Sequence, residues 1–423
     1  NTREGTAVIS DKTTGDLLFY TDGMTVWNNQ HRIMVNGIGL KGGVSCTQSA
    51  LIVPNPANPL QYYVFTAPDL TPGTGITALY YSIVSLELPG GKVMNKNTLL
   101  IDGVSEKLTG TMDCAGTGFW VVTHHKQRSE FYSFHITVSG IDTRPVVSTY
   151  SGEISDYTLG YMKISPSRTK LALASGTNGG YLSLFDFNAG TGMVKNCTVI
   201  YNNIGTNVYT YGLAFSPDNS KLYSTRKLSA NTYQELVQYD ISLQDAESIR
   251  NSVVKLYPYA SNVAMQLAFG GSIFISGYEN TPTTFFDVIG TPNKKGVACN
   301  YINQAFSLNN TFDSGLPNFM DYNFNQTYRS SDTIVVCPNG SVQLGRLPDR
   351  EYTYSWTPTE GLDDPNISNP IASPTQTTEY QLKKTNGGGC DNYEIYTVKV
   401  NSVKAEIAPI TPLCSRKSVK LSA

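Results

Sequence analysis

The stretch Tyr211 to Ser242, YGLAFSPDNSKLYSTRKLSANTYQELVQYDIS, limits the possible folds more than any other. Apolar and polar residues alternate through Leu213 and Phe215, turn at Ser216-Pro217-Asp218-Asn219-Ser220, and resume at Lys221-Leu222-Tyr223. Proline presets φ and Asp or Asn tolerates turn geometry, so a period of two broken by this turn predicts a β-hairpin. A polar tip at Ala230-Asn231-Thr232 leads to a third strand from Glu235 to Ile241. The unit recurs upstream from Tyr161 to Asn188, with Pro166 and Pro217 51 positions apart. A third copy starts at Gln266-Leu267-Ala268-Phe269, turns at Gly270-Gly271 and ends at Thr284-Phe285-Phe286-Asp287. One small sheet cannot bury both its faces, so repetition at this period predicts stacked sheets, as in a β-propeller.

Three further units precede these. Thr6 to Met34 gives three strands separated by Lys12-Thr13-Thr14-Gly15 and Thr21-Asp22-Gly23, a blade expected to lack its first strand. Ser49 to Ile83 supplies the second unit, and Gly118 to Phe134 the third. Six blades are thus visible over residues 1–325, about 54 residues each, within the range of propeller repeats. A seventh is expected if sequence before Asn1 pairs with the region after Cys299, because closure removes exposed sheet edges.

Composition agrees with an all-β chain. Charged residues make up only 15% of the 423 residues, while Tyr (27) and Gly (37) are plentiful, which suits strands and turns. A formal net charge of -2 gives no electrostatic case for nucleic acid or an anionic membrane. There is no apolar run of about 18 residues, so no direct membrane insertion by a helix is expected.

Several motifs occur in order. They are Glu4-Gly5 followed by ISDKTTGDLLFYTDGMTVWNNQHRIMVNG, the stretch Cys46 to Pro56, FWVVTHH at Phe119 to His125, and CNYINQAFSL with GLPNF at Gly315 to Phe319. Together they resemble the amino-terminal propeller of large secreted proteins of Bacteroidota. The resemblance implies PKD or Ig-like modules after the propeller, a gliding-motility-associated type IX sorting domain, and a place on the cell surface or outside the cell. It also implies that the chain is a fragment of a longer secreted precursor.

After Asn325 the texture changes to short strands at 8 to 12 residue spacing, which predicts a β-sandwich over 326–402. It looks like the Ig-like modules of the same family, with Trp356 as its buried aromatic. Leu413 to Ser422 copies Val336 to Gly345 at an offset of 77, so a second module is expected to start within 403–423.

Cys337 and Cys390 invite a disulfide closing a 53-residue interval. An Ig-like topology places them at opposite ends of a strand ~17 Å long, against a Cα limit of ~7 Å. An intramodule bond, a bond to a neighbouring module or to the propeller with Cys299 as the nearest candidate, and free thiols all stay open. Cys46, Cys114 and Cys197 read as small buried hydrophobes. His124 and His125 are adjacent on a strand, face opposite ways and cannot share a metal. Asp11, Asp22 and Asp218 read as turn formers, since calcium needs about six oxygens. The Gly pairs at 42–43, 179–180 and 270–271 have no Lys-Ser/Thr sequel and open no helix, so no phosphate loop is expected. No metal and no cofactor is expected.

Propellers bind ligands where their innermost strands begin. Tyr161, Tyr211 and Gln266 lie near those starts, and two aromatics with an amide could stack on and hydrogen-bond a sugar; packing is the competing reading. By resemblance, Asp332-Thr333-Ile334 is a site for O-glycosylation at Thr333, with a plain linker as the alternative. The expected function is binding: adhesion to a surface polysaccharide or a cell-surface protein. The alternatives are an assembly or docking module of the secretion or motility machinery, expected to show an apolar or aromatic patch, and a propeller hydrolase of lactonase-like type, which needs His or carboxylates at the channel mouth. Fold alone does not choose among these.

Overall fold

A computed structural model describes residues 4–401 except 71–76, 152–158, 176–179, 204–208, 229–233, 244, 260–263, 277–282, 314, 322–332, 346–347, 349–351 and 387–389. The polar tip at 230–232, Asp332 and the expected second module at 403–423 lie outside the described residues. The chain divides into two units, Asn1–Gln326 with Asn386–Cys390, and Thr327–Thr385 with Asp391–Ala423.

Among its described residues the first unit is all-β apart from the short helix Ala246–Asn251 and a 3-10 turn at Gly296–Cys299. Among the described residues its strands form six consecutive antiparallel meanders, the first two joined into one nine-stranded sheet by parallel pairing of Val35 with Lys92 and called sheets one and two below. Sheet one is Ala7–Ser10, Leu17–Thr21, Thr25–Asn28 and Ile33–Ile38. Sheet two is Ala50–Pro54, Gln61–Thr66 and Leu79–Ser85, with Lys92–Val93 and Thr98–Ile101 both on its last strand. Sheet three is Val104–Met112, Phe119–His125 and Glu130–Thr137, with Gly140–Ile141 and Val146–Thr149. Sheet four is Met162–Ile164, Lys170–Ser175, Gly180–Asn188 and Met193–Asn203; sheet five is Tyr209–Phe215, Lys221–Lys227, Gln234–Asp240 and Val254–Tyr259. Sheet six is Met265–Leu267, Ile273–Ile275, Thr283–Ile289 and Tyr301–Phe312. Sheet one is therefore not short of a strand. Ile33–Ile38, whose exposed apolar residues do not read as a half-buried strand, completes it.

The repeated turn explains three of these sheets. Asn219 donates its N–H to Ser216 O at 3.0 Å, Arg168 to Ser165 O at 2.9 Å and Gly271 to Ala268 O at 3.0 Å. Each donor has positive φ, 62° at Asn219, 64° at Arg168 and 86° at Gly271. Asn and Gly take that conformation readily, and Gly270-Gly271 thus makes the same turn without Pro or Asp.

Between sheets, alternation places apolar residues on apolar residues. Phe19, Val26 and Met34 of sheet one pack with Ile52, Tyr62 and Val64 of sheet two. Ala214, Tyr223 and Leu236 of sheet five pack with Met265, Leu267, Ile273, Ile275 and Ile289 of sheet six.

In the second unit, Thr333–Val336, Asp391–Val400, Thr378–Asn386 and Tyr352–Thr357 lie in that order in one sheet, and Val342–Gln343 pairs with Ile371–Ala372. Both sheets contribute to a core around Trp356, which is 1% exposed and donates Nε1–H to Ile367 O at 2.8 Å. Thr333 is exposed at the start of its strand. No helix among the described residues is long and apolar enough to cross a membrane.

The cysteine pairing differs from expectation. Cys390, which belongs with the first unit, is bonded to Cys114, and Cys337 and Cys299 are free thiols, exposed and buried respectively. Val336 sits beside Val400 in parallel register, so Cys337 lies at the far end of a strand from Cys390, roughly 30 Å away. That span excludes a bond between them. The Cys114–Cys390 bond spans 276 positions, and on the chain-entropy estimate a loop that long stabilises by roughly 5 kcal/mol. Cys114→Ser is expected to lower the thermal midpoint of the first unit clearly, and reduction of the wild type by dithiothreitol should reproduce the shift. Equal midpoints with and without reductant would show that the bond adds nothing.

Candidate functional site

The first strands of consecutive sheets are neighbours all along the series, from sheet one on two to sheet five on six. The chain then returns from the last strand of sheet six to run along these starts. Thr6 pairs in parallel with Pro317, and Asn318 donates its N–H to Thr6 O at 2.7 Å. Gly315 permits the approach, because a Cβ there would lie 1.5 Å from Glu4 O.

Around this returning segment, side chains cross from sheet to sheet. Gln48, just before sheet two, accepts from Met162 N at 2.9 Å and Leu108 N at 3.3 Å through Oε1. Its Nε2 donates to Met162 O at 3.0 Å and to Asn318 Oδ1 at 3.3 Å. Asn318 Nδ2 donates onward to Ala50 O at 3.2 Å and Leu108 O at 2.8 Å. Lys163 of sheet four donates Nζ–H to Gln266 Oε1 of sheet six at 2.6 Å, and Gln266 Nε2 donates to Asp321 Oδ1 at 2.7 Å. All five side chains are buried.

Burial sets the electrostatics. It pushes the Lys163 ammonium down and the Asp321 carboxyl up, and the opposite charge of each partner offsets part of that. Glu106 is lifted to about 7 by burial, although it accepts from Thr47 N at 2.8 Å, Thr47 Oγ1 at 2.9 Å and Leu70 N at 3.1 Å. Next to it, burial and then Glu106 push the Cys46 thiol well up, so this is not an activated nucleophile. Lys107 is fully buried and donates to Leu159 O and, at 2.9 Å, to Gly160 O.

Tyr161, Tyr211 and Gln266 do gather here. Tyr161 and Tyr211 pack edge to face with centroids 5.6 Å apart, and Lys163 Nζ lies 5.9 Å from the Tyr161 ring centre. A sugar platform is a different matter. The tyrosines are 2% and 3% exposed, their rings are spent on each other, and Gln266 is spent on Lys163 and Asp321, so all three act in packing and cross-linking.

Sequence reasoning passed over Gln48, Glu106, Lys107, Lys163, Asn318 and Asp321. Val104–Met112, sequence VSEKLTGTM, falls between the second and third units read from the sequence, yet it is buried along nearly its whole length. The only signal was its position ahead of FWVVTHH, where a meander needs a first strand.

The histidines do not meet here. His124 Nδ1 lies 2.6 Å from His125 O and Nε2 lies 3.0 Å from the Tyr150 hydroxyl, and burial holds its pKa down at about 3. His125 packs on Tyr132, across the strand from the Phe131 that His124 touches. His135 stacks on Trp120 at 4.1 Å and meets Asp113 Oδ2 at 3.1 Å. Asp11 and Asp22 cap their turns, Asp11 accepting from Thr13 N and Thr14 N and Asp22 from Met24 N and Thr25 N. Asp218 does the same for Ser220 N. Among the described residues no group of three His, Cys, Asp or Glu side chains could hold a metal.

No protein-family model and no curated relative matches the chain. Among solved structures it is similar to a 6-phosphogluconolactonase candidate from Bacteroides uniformis ATCC 8492, at 11% identity over 74% of this chain and 98% of that one, with a TM-score of 0.40. It is similar to apo AztD from Citrobacter koseri, at 11% identity over 71% of this chain and 72% of that one, with a TM-score of 0.39. It is also similar to the Myceliophteria thermophila Cps50 (Swd1) β-propeller domain, at 12% identity over 66% of this chain and 94% of that one, with a TM-score of 0.31. No role for this chain follows from likenesses at that level.

Proposed function

We propose that the first unit is a β-propeller that works by binding, as an assembly or docking module of an exported cell-surface protein. The radial arrangement rests on distance. Sheets packed face to face lie about 10 Å apart, so side chains two sheets apart in a linear stack would be about 20 Å from each other. Yet Gln48, just before sheet two, bonds Met162 of sheet four at 2.9 Å, and Lys163 of sheet four bonds Gln266 of sheet six at 2.6 Å. Sheets whose first strands meet in this way converge on an axis.

One observation carries the binding reading. The polar side chains at that axis are buried and bonded to one another, from Gln48 to Asn318 and from Lys163 through Gln266 to Asp321 Oδ1, with Asp321 Oδ2 left without a partner, and their burial leaves contact with a partner to the outer sheet faces. Those faces carry the apolar patch a docking module needs, with Ile33, Val35 and Ile38 at 51%, 71% and 62% exposure. The Cys114–Cys390 bond supports an oxidising, exported setting. The two-sheet unit around Trp356 supports an Ig-like stalk module, and the resemblance to secreted Bacteroidota proteins supplies type IX secretion as the route.

Adhesion to a surface polysaccharide is the second reading, favoured by the stacked pair Tyr20 and Trp27, with centroids 5.3 Å apart and both half-buried. Biolayer interferometry against cell-envelope proteins and surface polysaccharides tests both readings, alongside a lactone-hydrolysis assay on the same preparation. The expected result is saturable binding to an envelope protein with hydrolysis at background. Lactone turnover that is lost in both Glu106→Gln and Asp321→Asn would contradict it and establish the lactonase-like alternative.

A further inference from the structure

Lys163 and Gln266 are each the middle residue of the first strand of a sheet, Met162–Ile164 in sheet four and Met265–Leu267 in sheet six. Strands hold side chains more firmly than loops do, and these two bring an amine and a primary amide together across 103 positions of sequence. Lys163 Nζ lies 2.6 Å from Gln266 Oε1. A carbonyl bond is about 1.2 Å long, so the amine nitrogen is at most about 3.8 Å from Gln266 Cδ, close to the ~3–3.5 Å of a reacting pair.

Asp321 is the third group. Its Oδ1 accepts from Gln266 Nε2 at 2.7 Å, while its Oδ2 is buried with no hydrogen-bond partner. The side chains of Lys163, Gln266 and Asp321 belong to residues only 1%, 6% and 3% exposed. Burial disfavours charge, and it draws Lys163 towards the free amine and Asp321 towards the neutral acid. A desolvated amine keeps its lone pair for attack, and a carboxyl beside the amide nitrogen can move protons.

We propose that Lys163 and Gln266 become joined by an intramolecular amide bond, with loss of ammonia and with Asp321 carrying the protons. The structure holds the three groups before that reaction, linked by hydrogen bonds alone, as a freshly folded chain does. Nζ attacks Cδ with its lone pair, the Nζ–Cδ bond forms, and the π pair of the carbonyl moves onto Oε1. Nε2 thereby loses its conjugation, becomes basic and takes the carboxyl proton of Asp321. The carboxylate so formed takes one proton from Nζ, and Oδ2 is the oxygen open to receive it. When the pair on Oε1 returns, the Cδ–Nε2 bond breaks and ammonia leaves. Asp321 ends as it began, and nothing is oxidised or reduced.

Lys96 and Asn36 form a natural comparison. Lys96 Nζ lies 3.0 Å from Asn36 Oδ1, but the pair is exposed and the Asn36 amide donates to Val93 O, not to a carboxyl. Both burial and a proton carrier are missing, so no bond is expected there. Between Lys163 and Gln266 the bond would tie the first strands of sheets four and six, and reductant would not release it as it releases Cys114–Cys390. The inference stands on these contacts and not on the binding reading.

The test is mass spectrometry of the whole chain, held at neutral pH either folded or in guanidinium and then reduced. The folded wild type is expected to weigh less than its sequence by one ammonia, and its tryptic digest to contain a branched peptide joining Lys163 to Gln266. The wild type held unfolded should keep its full mass, as should Lys163→Met and Asp321→Asn, the second checked for folding by circular dichroism. The proposal is overturned if the folded wild type keeps its full mass, or if ammonia is lost without that branched peptide. Equal loss in the folded and unfolded wild type would overturn it too, and these arms decide the bond whether or not a variant folds. A branched peptide in folded Asp321→Asn would overturn the role given to the carboxyl.

Discussion

Replacing Asp321 by alanine is expected to lower the stability of the first unit by roughly 1–3 kcal/mol, the usual cost of leaving a buried hydrogen-bonding group short of its partner. Lys163 is 1% exposed and meets Asp321 only through the Gln266 amide, so with the carboxylate gone its charge has no counter-ion in the network. Guanidinium unfolding followed by far-UV circular dichroism would measure the loss. A companion variant separates charge from mere packing. Lys163→Met with Asp321→Leu removes both charges and keeps apolar volume, and it should recover most of the loss, as replaced buried pairs do. If the double variant is as unstable as the single one, the cost lies in shape and not in charge.

Acid is the second large effect. The folded pKa of His124 is held at about 3 against an ordinary value of 6.5, because burial disfavours the imidazolium and the Lys107 charge adds to that. A depressed folded pKa means that the unfolded chain takes up the proton first. The stability this group contributes is fully present above pH 6.5 and is lost as pH falls from there towards 3. A displacement of that size corresponds to about 4–5 kcal/mol. Glu106 works in the opposite sense. Its folded pKa of about 7 lies above its ordinary 4.5, so its contribution is fully present below pH 4.5 and fades as pH rises through 7. The expected outcome is a net loss of stability on acidification from His124, which His124→Asn flattens and Glu106→Gln steepens. Proton NMR gives the direct check: the His124 C2 proton should not titrate between pH 8 and 5, and a midpoint near 6.5 would refute the assignment.

What the sequence made legible was whatever period and turn chemistry encode locally. Ser216-Pro217-Asp218-Asn219, Ser165-Pro166-Ser167-Arg168 and Ala268-Phe269-Gly270-Gly271 form one turn with one hydrogen-bond pattern, and the hairpins on either side follow from it. His124 and His125 face opposite ways for the same local reason. Val104–Met112 was illegible because its polar residues Glu106 and Lys107 are satisfied by Thr47, Leu70, Leu159 and Gly160, partners that no spacing rule connects to them. Cys114 was illegible as a disulfide partner because the bond is made across 276 positions, and position in sequence says nothing about such a neighbour. Tyr161, Tyr211 and Gln266 show the limit at the site itself. The sequence located them at the starts of first strands, but their burial comes from Tyr161 and Tyr211 packing on each other and from Gln266 bonding Lys163 and Asp321, contacts between sheets that no local pattern encodes.

The central claim is that the returning segment ties the first strand of sheet one to the first strand of sheet six. Native-state hydrogen exchange on wild type and Asp321→Ala, read by mass spectrometry of peptides covering Ala7–Ser10, Met265–Leu267 and Leu316–Met320, tests it most directly. The account predicts that the variant loses protection in all three peptides together, while Lys170–Ser175 and Lys221–Lys227 in the middle of sheets four and five keep theirs. Loss confined to Leu316–Met320, with sheets one and six as protected as in the wild type, would contradict it.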